Sequence, residues 1–138
     1  MSQAQSWLLL GGLTNLLVSV IVAYGLYWIR LRRPDVPAQR YAMVAHKLIL
    51  WNGFLLLGLA VVIDQTGFSA RVNTGLAIAE VAVTVLAGGR TIMSWAQNIP
   101  DEIAAGGWRA RMIGLVNMVH LIVVAGILYG FSRTVLGI

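Results

Sequence analysis

Six side chains able to do chemistry lie within long apolar runs of this chain: His46, Asn52, Glu80, Arg90, Asn117 and His120. An ionisable or amide group at membrane depth is expensive, so it turns toward a protein interior, a cavity or a ligand, and each is a site hypothesis. Imidazole is the neutral side chain here that binds iron strongly, and a membrane helix is a rigid mount for it. His46, in the stretch Ala45-His46-Lys47-Leu48-Ile49-Leu50-Trp51-Asn52-Gly53, is therefore the leading metal ligand. Its plain alternative is an interfacial residue wetted by headgroups, because Lys47 beside it must already reach water.

Asn52 follows six residues later, so on a helix the two side chains diverge by about 120°. They are not expected to touch the same ligand face from one subunit. At a subunit interface, His46 could hold one bound group while Asn52 lines the neighbouring site; otherwise Asn52 is a hydrogen-bonding contact between helices.

His120 and Asn117, three residues apart, share one face of the fourth apolar segment, where a bond to a neighbouring helix is the ordinary role. His46 and His120 differ in depth by about 7 Å at helical rise, which weighs against both binding one porphyrin. One histidine with an open metal position fits better, and an open position is what a catalytic metal keeps for its substrate. Arg90 could pair with a haem propionate or simply snorkel. Glu80 lies among alanines and valines; its ordinary role is a structural hydrogen bond, and a proton-coupled transporter would use such an acid as its proton site.

The elements that must carry these residues are helices in lipid. Of 138 residues 59% are hydrophobic and 11% charged, with a mean hydropathy of +0.81, which does not suit a water-facing surface. The pattern predicts an all-α integral membrane four-helix bundle, a single domain over 1–138, with helices over about 7–29, 41–63, 73–97 and 112–131. No basic region precedes the first segment, so it is expected to stay rather than be cleaved as a signal. Tyr24, Tyr27 and Trp28 form an expected interfacial belt. Pro34 and Pro37 bracket the first loop; the short 64–71 hairpin forces its flanking helices to be antiparallel neighbours. The third helix carries a stripe of Glu80, Thr84, Ala87, Thr91 and Trp95, flanked by Gly88, Gly89 and Arg90, where a flat ligand or another helix could approach. The polar 98–111 stretch, with Pro100, is a candidate short interfacial helix.

The net charge of +5 is spread over helix ends, which argues against nucleic-acid binding and for a lipid bilayer with anionic headgroups. With no cysteine, disulfides, thiolate metal sites and covalent haem attachment are excluded, so any haem is the non-covalent b type. Arg30, Arg32, Arg33, Arg40, Lys47, Arg109 and Arg111 flank the first and third loops, against Arg71 and Arg133 on the other side. The positive-inside rule then puts those loops in the cytoplasm and both termini outside an inner membrane.

In Ala45-His46, five residues, then Asn52-Gly53, followed by Gly67-Phe68, Ala70-Arg71 and Glu80 nine residues on, the middle of the chain resembles the styrene oxide isomerase family. Its members are small four-helix membrane proteins that bind haem b and rearrange epoxides to carbonyl compounds. The resemblance implies that His46 is the axial ligand of a ferric haem b and that Asn52 is a catalytic, distal-pocket residue that helps place an apolar epoxide. It also implies a homotrimer with haem between subunits, and Lewis-acid ring opening with a 1,2-hydride shift that converts an aryl epoxide such as styrene oxide to an aldehyde. The family's third-helix tyrosine matches a position near Gly88 here, and the third helix holds no tyrosine. The alternatives are a haem b electron carrier using His46 and His120, a haem sensor, or the Glu80 transporter.

Overall fold

Segments that are apolar on every side have no face to hide from water, and in lipid each backbone N–H and C=O must find its partner within the segment, which selects helices. The computed structural model describes residues 1–34, 40–99, 101–104 and 106–137. It is all-α: α1 (Gln3–Arg32), α2 (Arg40–Val62), α3 (Ala70–Ala96) and α4 (Gly107–Leu136), with one 3₁₀ turn, Ile63–Gln65, after α2. All four helices are long and apolar enough to cross a bilayer, which makes this a multi-pass membrane protein.

Three of the helices, α1, α3 and α4, outrun the apolar spans that predict them, and α2 keeps its expected length within one residue at each end. Ser2 caps α1 by accepting from the Gln5 N–H at 3.0 Å, and Ser69 caps α3 through the Val72 N–H at 3.4 Å, so these helices start at 3 and 70 rather than 7 and 73. α4 runs over 107–136 instead of 112–131, which absorbs residues 107–111 of the expected interfacial helix into its first turns. Hydropathy marks the lipid-immersed part of a helix, whereas backbone hydrogen bonding carries it on into the headgroup zone. α1 ends just before Pro34, whose ring disfavours helical geometry at Arg33. Pro37 and Pro100 lie outside the described residues.

The burial pattern inverts that of a water-soluble protein. Leu10, Leu13, Leu17, Ile21, Trp51, Phe54, Leu121 and Ile122 face outward, while Asn15, Ser19, Asn73, Glu80, Thr84 and Thr91 are buried. Lipid solvates the first set at no cost, and the second finds hydrogen-bonding partners only inside the protein.

α1 and α2 run antiparallel in a register that the sequence repeats every seven residues. The Gln5 amide donates to the Ala60 carbonyl at 3.1 Å. Seven residues on, Gly12 and Gly53 meet: a Cβ on Gly12 would lie 3.1 Å from the Gly53 carbonyl, and one on Gly53 would lie 3.2 Å from the Gly12 carbonyl. Seven further on, Ser19 bonds His46. Two turns return a helix to nearly the same face, so a contact at one rung is repeated at the next.

The hairpin between α2 and α3 is locked from inside. The buried Asn73 amide donates to the Ile63 carbonyl at 2.8 Å, and its oxygen accepts from the Thr66 hydroxyl at 2.8 Å. Removing this side chain in Asn73→Ala deletes both bonds and leaves the 3.1 Å bond from the Thr66 hydroxyl to the Ile63 carbonyl, at an expected cost of about 1–3 kcal/mol. Unfolding in a denaturing-detergent titration measures it, and an unchanged midpoint would contradict the role given to Asn73.

α4 packs on α3 and on the 63–65 turn but barely touches α2, and among the described residues it does not pack on α1. A cleft is therefore left between α2 and α4, floored by α3.

Candidate functional site

α2 divides the candidate residues between two faces. His46, half-buried, turns to α1, where its Nδ1 lies 3.1 Å from the Ser19 backbone oxygen and 2.9 Å from the Ser19 hydroxyl. A carbonyl can only accept, so Nδ1 carries the proton; the Ser19 hydroxyl in turn donates to the His46 carbonyl at 3.2 Å. Ser19 itself is fully buried. This fixes the ring's orientation and leaves Nε2, which has no hydrogen-bond partner among the described residues, as the candidate coordinating atom, the arrangement that metal-binding histidines use.

Asn52 lies on the other side. It lines a cavity of about 80 Å³ in the α2–α4 cleft together with Leu48, Thr84, Val116, Asn117 and His120. The expected divergence of His46 and Asn52 is thus a property of the fold. Asn117 and His120 share this cavity, as their spacing suggested. His120 Nδ1 lies 2.7 Å from Glu80 Oε1, and the Glu80 side chain has no solvent exposure. The two groups are at ion-pair distance, and Glu80 Oε2 has no hydrogen-bond partner among the described residues. His46 is tied to α1 and His120 to α3, so the two imidazoles are held by different neighbours.

Arg90 is paired with Glu102 of the α3–α4 loop, whose carboxylate also accepts from the Ser94 hydroxyl. The Glu102 backbone N–H donates to the Tyr41 hydroxyl at 2.8 Å, so this cluster joins the loop to both α2 and α3. A ligand carboxylate at Arg90 would share the guanidinium with Glu102.

In the α3 stripe, Glu80, Thr84, Ala87 and Thr91 are buried and Trp95 is half-buried. Gly88 and Gly89 border an apolar groove of about 210 Å³ between α1 and α3, together with Asn15, Val18, Ile49 and Ile92. Asn15, a polar residue at membrane depth, bonds the Gly11 carbonyl of its own helix at 2.9 Å.

Sequence reasoning missed Ser19 as the partner of His46, although the seven-residue steps Gln5, Gly12, Ser19 and Ala60, Gly53, His46 carry the signal. It also missed Glu102, because a loop acid announces no partner. Among the described residues no three His, Asp or Glu side chains come together as a metal cluster; a porphyrin, which brings its own four nitrogens, asks the protein for only one imidazole. No family model matches this chain, and no curated protein or solved structure matches it either.

Proposed function

We propose that this is a haem b-dependent membrane isomerase that converts apolar aryl epoxides, such as styrene oxide, to aldehydes. The observation that carries the reading is the His46–Ser19 contact, which engages Nδ1 and orients the imidazole on a rigid helix with Nε2 outside that contact. The resemblance through His46, Asn52-Gly53 and Glu80 supplies the reaction class.

The residues fit the group. His46 holds the iron through Nε2, and Ser19 keeps the ring from rotating or changing tautomer. Pockets that enclose a drug-sized ligand measure about 300–1,000 Å³, so neither the 80 Å³ cavity nor the 210 Å³ groove surrounds a macrocycle within one chain. A haem on His46 would therefore need a second copy of the chain to enclose it, as in a homotrimer in which Asn52 of one subunit would serve its neighbour's site. Arg90, near a helix end, is the cation available to a propionate if Glu102 yields.

Bound ferric haem supplies Lewis acidity toward an epoxide oxygen. The chain's own part is to orient that oxygen through the Asn52 carboxamide and to keep water out, since water would divert ring opening to a diol. Embedding the site in apolar helices does the second and gathers apolar epoxides from the bilayer. The charge distribution supports a cytoplasmic membrane with both termini outside.

Detergent-purified protein from haem-sufficient cells, incubated with styrene oxide, tests the reading by the appearance of phenylacetaldehyde. A colourless preparation rejects it; bound haem with no conversion of any aryl epoxide turns it into an electron carrier or sensor. Ser19→Ala, which keeps the backbone acceptor but loses the hydroxyl, is expected to weaken haem binding by about tenfold. Haem titration of the apoprotein measures that, and wild-type affinity would remove Ser19 from the site.

A further inference from the structure

We propose that Glu80 and His120 form a proton-exchange site, in which the imidazole carries protons between a hydrated cavity in the α2–α4 cleft and a carboxyl group that solvent does not reach. The inference does not rest on the haem reading, since neither residue touches His46 or Ser19; where the two meet, at Asn52 on the cavity wall, a bound apolar epoxide would displace the water.

The two ends of the His120 ring have different surroundings. Nδ1 is 2.7 Å from the fully buried Glu80, and the ring also lines the cavity shared with Asn52, Asn117 and Thr84. Water occupies roughly 30 Å³ per molecule and needs two or more polar partners, so the 80 Å³ cavity has room for two or three waters among groups that can bond them. Glu80 does not line this cavity, and its Oε2 has no partner among the described residues. A carboxyl serving only as a helix tie would have its oxygens satisfied. One reached through an imidazole has a route to water without exposure.

The step balances as uptake of one proton. Neutral His120, with its proton on Nδ1, faces ionised Glu80. Nε2 takes a proton that a cavity water relays from the bath, the water itself staying neutral, and Nδ1 passes its own to Glu80 Oε1, leaving a neutral acid and a neutral imidazole protonated on Nε2. The net charge of the pair goes from −1 to 0, and reversal returns the proton to the cavity.

Few other charges face the pair. α1 has no titratable side chain from Ser2 to Ala23, and α4 has none between Arg111 and Tyr129 apart from His120. On α2, His46 is turned to Ser19 and Lys47 is exposed; on α3, Arg90 is paired with Glu102. The remaining cavity wall is carboxamide, hydroxyl and aliphatic.

The chain has two histidines and two glutamates, so ¹⁵N-histidine and ¹³C-glutamate labels give resolvable spectra of the full chain in lipid nanodiscs, with Glu102→Gln assigning the carboxyl signals. The expected result is that the Glu80 carboxyl and the His120 ring nitrogens move together, with one shared midpoint, as bath pH is varied. Glu80→Gln should separate the His120 nitrogen signals from that shared transition. Glu80→Asp, which keeps the acid but draws it back from the ring, gives the same change should the glutamine variant fail to fold. A Glu80 signal that stays fixed wherever the protein is folded, or a His120 midpoint indifferent to both substitutions, overturns the proposal.

Discussion

Replacing His46 with alanine is expected to strip haem from the purified protein, while His120→Ala keeps it. Both side chains are imidazoles in apolar helices, so composition alone cannot separate them; their partners do. His46 has its Nδ1 held at the Ser19 carbonyl, 3.1 Å away, which leaves Nε2 as the nitrogen to offer a metal. His120 faces the Glu80 carboxyl at 2.7 Å, a contact better suited to sharing a proton. Loss of an orienting partner typically lowers metal affinity by about 10–100-fold, so loss of the ligand itself should exceed that range. The readout is the Soret band per mole of protein after detergent purification from haem-sufficient cells. The reverse pattern, with His120→Ala colourless and His46→Ala still red, would move the site to α4.

Closing the Gly12–Gly53 contact should have the next largest effect. A Cβ on Gly12 would lie 2.8 Å from the Leu57 side chain and 3.1 Å from the Gly53 carbonyl, and one on Gly53 would meet Leu16 at 2.8 Å. Leu57 and Leu16 could move aside for a methyl group, but a leucine at either glycine must displace the opposing backbone. Overpacking of this kind costs about 1–3 kcal/mol. The register also links this rung to the next: Ser19 and His46 lie seven residues from Gly12 and Gly53, so forcing the helices apart here should loosen the histidine two turns away. Gly12→Leu and Gly53→Leu are thus expected to lower the denaturing-detergent midpoint and haem retention together. Gly58→Leu is the control, because a Cβ there meets nothing within 4 Å. Haem lost equally from all three variants would disconnect the glycine contact from the histidine.

The candidate site was legible in unequal parts. The divergence of His46 and Asn52, and the shared face of Asn117 and His120, follow from helical periodicity and agree with the cavity that Asn52, Asn117 and His120 line. Arg90 was visible as a cation near a helix end, but its partner Glu102 belongs to a loop with no periodicity to extrapolate. The Glu80–His120 contact joins residues 40 positions apart on different helices, and nothing local in either helix specifies the other.

By itself, the sequence determined that this protein is four lipid-spanning helices joined by three polar connections, because the transfer of each side chain into hydrocarbon is a local property that sums along a segment. It also determined which residues are too polar to face lipid. Tertiary structure alone decided how those residues were shared out: His46 to α1, His120 to Glu80, and a cleft left where α4 meets α3 and barely touches α2. Pairings between helices depend on rotation and register, which small residues such as Gly12 and Gly53 set by allowing backbones to touch.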